Sequence, residues 1–110
     1  MSNTAAVAEC VRRADVVISL VALCNPSYYN TIPLDVIETN FAHPSTVARL
    51  CLEHDTWLIH FSTSEVYGRT VSSLTGERSG GGDTLSEETS PLILGPIRAQ
   101  RWSYACAKQL

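Results

Sequence analysis

Between residues 4 and 14 the apolar positions Val7, Cys10, Val11 and Ala14 recur at helical spacing. That pattern predicts one amphipathic helix, with Arg12 and Arg13 near the carboxyl end where the helix dipole favours cations. The pattern then changes at once. "DVVISLVAL" (15–23) is an unbroken aliphatic and β-branched run, as expected of a parallel strand buried on both faces. A second run, "TWLIHFSTS" (56–64), predicts another buried strand over 57–61 that ends in hydroxyl residues. "CNPSYYNTIP" leaves the first strand as a loop, and "PLDVIETNFAHPSTVARLCLEH" predicts a helix burying Leu34, Ile37, Phe41, Val47, Leu50 and Cys51, with Pro33 in its first turn. Pro44 should kink or split that helix, because it removes a backbone donor and clashes with the preceding turn.

The order helix, strand, helix, strand implies a right-handed crossover and a parallel sheet, hence an α/β fold. Residues 69–97 read as a long polar loop whose glycine run at 80–82 is a surface excursion. A phosphate cradle would need a strand directly before that run and a helix directly after it. Residues 98–110 begin a last helix. A sheet of two strands leaves unpaired edges, so residues 1–110 are expected to be the central fragment of a larger domain.

Composition narrows the function. The formal charge of −3, with eight dispersed Lys and Arg, supplies no basic field, which argues against nucleic-acid binding. The longest apolar run is far shorter than the ~20 residues of a membrane span, and no basic-then-apolar leader opens the chain, so no membrane association and a cytoplasmic location are expected. Only 17% of residues are charged, against about 25% on average, leaving much of the surface for contact. Cys10, Cys24, Cys51 and Cys106 lack metal or redox spacing; Cys10 and Cys51 read as buried thiols and Cys106 as helix packing. His43, His54 and His60 likewise show no metal spacing, and His60 reads as a core or second-layer residue. Trp57 and Trp102 read as packing anchors, with Trp102 placed to shape a pocket beside Arg101.

Open α/β sheets bind ligands beyond the carboxyl ends of their strands, which points to "CNPSYYN" and "STSEVYG". In "RWSYACAKQL", Tyr104 and Lys108 lie four apart and share a helix face. A phenol beside an ammonium can act as a general acid/base, since the cation favours the phenolate, and a strand-end hydroxyl can orient the substrate. Taken singly, each group has an ordinary reading: a half-exposed tyrosine with a solvated lysine, a loop carboxylate at Glu65, a helix-start cation at Arg101, a packed thiol at Cys24.

Taken together, "STSEVYG" and "RWSYACAKQ" resemble the extended short-chain dehydrogenase/reductase family of NAD-dependent epimerases and dehydratases. With "CNPSYYNTIPLDVIETNF", the resemblance narrows to the branch of UDP-apiose/UDP-xylose synthases and UDP-glucuronic acid decarboxylases, including the decarboxylase domain of the bacterial polymyxin-resistance enzyme. It covers nearly all of residues 15–110 and is weakest over 70–90. It implies a partial Rossmann-type sheet lacking the first nucleotide-binding βαβ unit, because no glycine-rich turn or its acidic partner is present. It implies Tyr104 as acid/base, Lys108 on the nicotinamide ribose, Thr63 on the reacting hydroxyl, Glu65 and Arg101 around the sugar carboxylate, and Ser64 and Cys24 against the substrate. NAD, a UDP-sugar substrate and a homo-oligomeric complete enzyme are implied as well, with this chain alone expected to be inactive. Ser64 stands where apiose-forming members carry cysteine, which leaves the pentose product open. A different nucleotide-sugar epimerase or dehydratase, or a non-catalytic α/β fragment, also stays open.

Overall fold

The computed structural model describes residues 3–76 and 84–110; the glycine run at 80–82 lies outside them. Helix α1 (Thr4–Arg12) starts at Asn3, whose side chain accepts from the Ala6 N–H at 3.0 Å, satisfying one of the donors a helix start leaves open. Strand β1 (Val16–Ser19) pairs in parallel with β2 (Trp57–His60), Val16 opposite Trp57 and Ser19 opposite His60. Both strands are shorter than expected. Beyond Ser19 the backbone of Leu23 turns to the Asn40 side chain, which takes the place of a neighbouring strand.

The connection between the strands is not one kinked helix. Helices α2 (Pro26–Tyr29) and α3 (Pro33–Ile37) come first, then a π-helical turn, Glu38–Ala42, and then α4 (His43–Glu53). The wider turn lies directly before Pro44, whose ring would otherwise meet the carbonyl one turn back, and the chain stays helical through it. The extra residue also changes which side is buried. Val36 and Asn40 face the interior, whereas Leu34, Ile37 and Phe41, expected in the core, are exposed.

Helices α1 and α4 cover one side of the two strands, with Val11 and Cys51 buried between them. The other side is open among the described residues: Val16, Ile18, Trp57 and Ile59 are 47 to 77% exposed. The two-sided burial expected of both strands and the packing role expected of Trp57 are therefore corrected. Cys10, expected to be buried, and His60, expected in the core or a second layer, are exposed too. The radius of gyration of 16.7 Å exceeds the about 13 Å of a compact chain this long, as a slab with one bare face should.

A second core holds the carboxyl end. After a 3-10 turn at Gln100–Trp102, helix α6 (Ser103–Gln109) buries Tyr104, Ala105 and Ala107 against α3, the π-helical turn and the 3-10 turn Ser64–Tyr67. The small alanines let α6 approach closely. The stretch read as a long loop carries a helix of its own, α5 (Val71–Thr75), and is pinned at its ends where Gly68 bridges Ile93.

Candidate functional site

Three segments meet at the carboxyl ends of the strands. After β1, Asn25 caps α2 by accepting from the Ser27 N–H at 3.0 Å, and Pro26 fits the first turn because no donor is needed there. The cap turns Tyr29 fully inward, where its hydroxyl donates to the Cys24 carbonyl at 3.0 Å. After β2, Thr63 caps the next turn by accepting from the Glu65 N–H at 3.3 Å, which leaves Ser64 exposed and points Glu65 toward α6. On α6, Tyr104 is 5% exposed and Lys108 reaches back to the end of β2, its Nζ donating to the Phe61 carbonyl at 2.6 Å.

The rings of Tyr29 and Tyr104 stack with centroids 5.1 Å apart and planes 10° from parallel. The Arg101 guanidinium lies 5.5 Å from the Tyr29 centroid and 5.0 Å from that of Trp102, and its Nη1 donates to Glu65 Oε2 at 2.8 Å. An arginine held by two aromatic faces and a carboxylate is oriented rather than merely present. Trp102 in turn packs so close to Gly95 that a Cβ there would meet the indole nitrogen.

The electrostatics depart from the simple picture of a lysine-activated phenol. Burial pushes the Tyr104 pKa above its ordinary value; a hydrogen bond with Thr63 works the other way, and Cys24 and Glu65 add to the rise. Lys108 turns its ammonium to the Phe61 carbonyl. Burial lowers its own pKa, with Cys24 opposing. Tyr29 is pushed up to about 12, first by burial and then by Glu65. The chain thus holds its acid/base candidate neutral, and a further positive charge beside it would be needed to favour the phenolate.

The sequence model described as the NAD dependent epimerase/dehydratase family matches residues 1–110. The chain belongs to this family. Among curated epimerase/dehydratase relatives it is 49% identical to UDP-D-apiose/UDP-D-xylose synthase 1 of Arabidopsis thaliana over 105 residues, covering 91% of this chain and 27% of that protein. The rice UDP-D-apiose/UDP-D-xylose synthase is 48% identical over 105 residues, covering 91% of this chain and 26% of its own length. The chain therefore spans about a quarter of the curated relatives it matches. Among solved structures, the PbgP3 protein from Burkholderia pseudomallei superposes with a TM-score of 0.83 at 34% identity, over 97% of this chain and 29% of that one. The α/β fold is accordingly Rossmann-like.

In this epimerase/dehydratase chain every residue expected at the site lies at one end of the sheet. Glu65 and Arg101 are in direct contact. Thr63 and Cys24 both act on Tyr104, and Cys24 on Lys108 as well. Ser64 makes the least of its place, standing exposed at the start of its turn. Two residues escaped the sequence reading, Tyr29 and Asn40. For Tyr29 the signal was available: the helix-starting "NP" in "CNPSYYN" places the second tyrosine one turn inward. Asn40 carried no such signal. Among the described residues no cluster of His, Cys, Asp and Glu could hold a metal ion, and no helix is long and apolar enough to cross a membrane.

Proposed function

We propose that this chain carries the catalytic centre of an NAD-dependent UDP-glucuronate decarboxylase of the UDP-apiose/UDP-xylose synthase type. The observation that carries the reading is the Arg101–Glu65 pair at 2.8 Å, seated on the same aromatic stack as Tyr104. An oriented guanidinium beside a buried phenol suits a sugar with both a reacting hydroxyl and a carboxylate. The names of the 49% and 48% identical relatives support a UDP-sugar as the substrate.

The residues present fit one end of NAD. Lys108 spends one N–H on the Phe61 carbonyl and keeps two, sufficient to hold a ribose hydroxyl next to Tyr104. The described residues offer no glycine turn for the pyrophosphate. NAD, when bound, supplies a reversible hydride acceptor for the sugar C4. Tyr104, once its phenolate is favoured by the positive nicotinamide ring of bound NAD, would take the C4 hydroxyl proton, while Thr63 fixes that oxygen and Arg101 orients the carboxylate. Once C4 is a ketone the sugar is a β-keto acid, so its carboxylate leaves as carbon dioxide with the electron pair held as the C4 enolate, which takes a proton from water at C5. Tyr104 returns its proton as C4 is reduced again, giving UDP-xylose. All four cysteines are free, as a reducing compartment requires, so the cytoplasm is the proposed location.

The test is a graft: residues 1–110 replace the matching segment of the Arabidopsis synthase, and carbon dioxide and UDP-pentose are measured from UDP-glucuronic acid. Turnover that disappears in Tyr104→Phe is expected, since the phenolic proton acceptor is gone while the ring remains. Turnover retained in that variant would sink the assignment. Ser64→Cys in the same graft reads the product: new UDP-apiose would place the choice of pentose at this position.

A further inference from the structure

The sequence places Tyr104 and Arg101 on one short stretch, but neither the spacing nor the resemblance explains what fixes them relative to one another. The structure assigns that task to Tyr29. We propose that Tyr29 is a positioning residue, whose buried ring holds the Tyr104 phenol and the Arg101 guanidinium in a single arrangement. The inference rests on the reading of Tyr104 as acid/base and Arg101 as carboxylate ligand.

Three observations converge. Tyr29 is fully buried at the centre of the cluster it forms with Val36, Tyr104 and Leu23, so its ring has little freedom. It touches both functional groups, stacking on Tyr104 at 5.1 Å and receiving Arg101 at 5.5 Å. Its hydroxyl is engaged with the Cys24 carbonyl and is therefore tied to the backbone leaving β1. Tyr29 thus acts through its ring on two groups and through its hydroxyl on a third segment. Aromatic stacking and cation–π contact are both directional, so an aliphatic side chain of similar volume fills the space without reproducing the hold.

The experiment uses the graft with Tyr29→Phe and Tyr29→Leu, assayed with UDP-glucuronic acid, UDP-glucose and UDP-galactose. Phenylalanine keeps the ring, so kcat should stay within about threefold of the parent, because only one neutral hydrogen bond is lost. Leucine should lower kcat on the order of 100-fold, the effect of a catalytic group displaced by about 1 Å. It should also weaken UDP-glucuronic acid binding about tenfold relative to UDP-glucose, whose sugar is uncharged, measured by calorimetry, since the guanidinium has lost its seat. A merely structural role predicts otherwise: both nucleotide sugars weaken alike, and phenylalanine fares little better than leucine. Either of those results overturns the proposal. A parent graft that turns over only a neutral sugar refutes decarboxylation, and the leucine-to-phenylalanine ratio in kcat on that sugar still decides the role of Tyr29. A graft inert toward all three sugars overturns both readings.

Discussion

Asn40 is the side chain on which the site's framework should depend most. It is 2% exposed and makes three hydrogen bonds: Nδ2 donates to the carbonyls of Val36 at 2.7 Å and Leu23 at 3.1 Å, and Oδ1 accepts from the Leu23 N–H at 3.1 Å. Through Leu23 it fixes the segment that delivers Cys24 and Tyr29. Asn40→Ala removes all three bonds, at about 1 kcal/mol net each, and leaves both Leu23 backbone groups without partners. Leu23 is only half-buried, so water recovers part of that loss, and the expected cost is about 2–4 kcal/mol. For a domain of this length that is a large share of a stability of about 5–15 kcal/mol. With a urea slope near 2 kcal/mol per molar, the unfolding midpoint should fall by about 1–2 M, read by circular dichroism. Asn40→Asp adds a second signature. Its carboxylate can still accept from the Leu23 N–H, but its other oxygen would face two carbonyls, so its folded pKa should rise. Such a group contributes stability below its unfolded value, near 4, and loses it as pH rises through the folded one. The variant should therefore be relatively more stable in acid than at neutral pH. A midpoint within about 0.3 M of the parent for alanine, or no acid recovery for aspartate, would refute this account of Asn40.

Gly68 has φ +71°, and a Cβ there would run into the Ile93 carbonyl; Gly68→Ala should cost at least about 2 kcal/mol and lower Tm, whereas Gly76→Ala, with open space around it, should cost only its backbone strain. Tyr29, at about 12 in the folded chain against 10.0 as its reference, contributes stability that is present below pH 10 and lost as pH rises through 12. Alkaline unfolding curves should accordingly flatten in Tyr29→Phe between those limits, and an unchanged slope would show that Tyr29 does not titrate late. The Arg101–Glu65 pair is 41% and 31% exposed, so Glu65→Gln should cost under about 1 kcal/mol of stability. In the graft its effect should fall instead on binding of the acidic sugar, measured by calorimetry.

The elements that could be read from the sequence were those whose pattern is local. Continuous aliphatic runs marked both strands, and the Asn, Pro and hydroxyl residues that follow them marked where they end. The strand-end rule then located Thr63 and Glu65, and helical spacing placed Tyr104 and Lys108 together. What escaped depends on contacts distant in the chain. Leu34, Ile37 and Phe41 have helical spacing yet face outward, because the π-helical turn offers Val36 and Asn40 to the interior instead. Trp57 was read inward on chemical character alone, but it lies on the uncovered sheet face with Val16, Ile18 and Ile59; Cys10 on α1 and His60 at the end of β2 are exposed as well. The direction of the Lys108 ammonium did not follow from spacing either, since its Nζ donates to the Phe61 carbonyl, 47 positions away.

The bridge between Gly68 and Ile93 gives the chain a closed stem. Arg69 donates to the Ile93 carbonyl at 2.7 Å and Ile93 to that of Tyr67 at 3.1 Å, clamping the ends of the intervening stretch beside Glu65. Once a stem is fixed, doubling the length of what it closes adds only about 0.6 kcal/mol of closure entropy. Sequence should therefore be insertable or exchangeable within that stretch with little effect on the groups beside its stem. A peptide tag placed there should travel with the protein and leave Thr63, Glu65 and Tyr104 where they are.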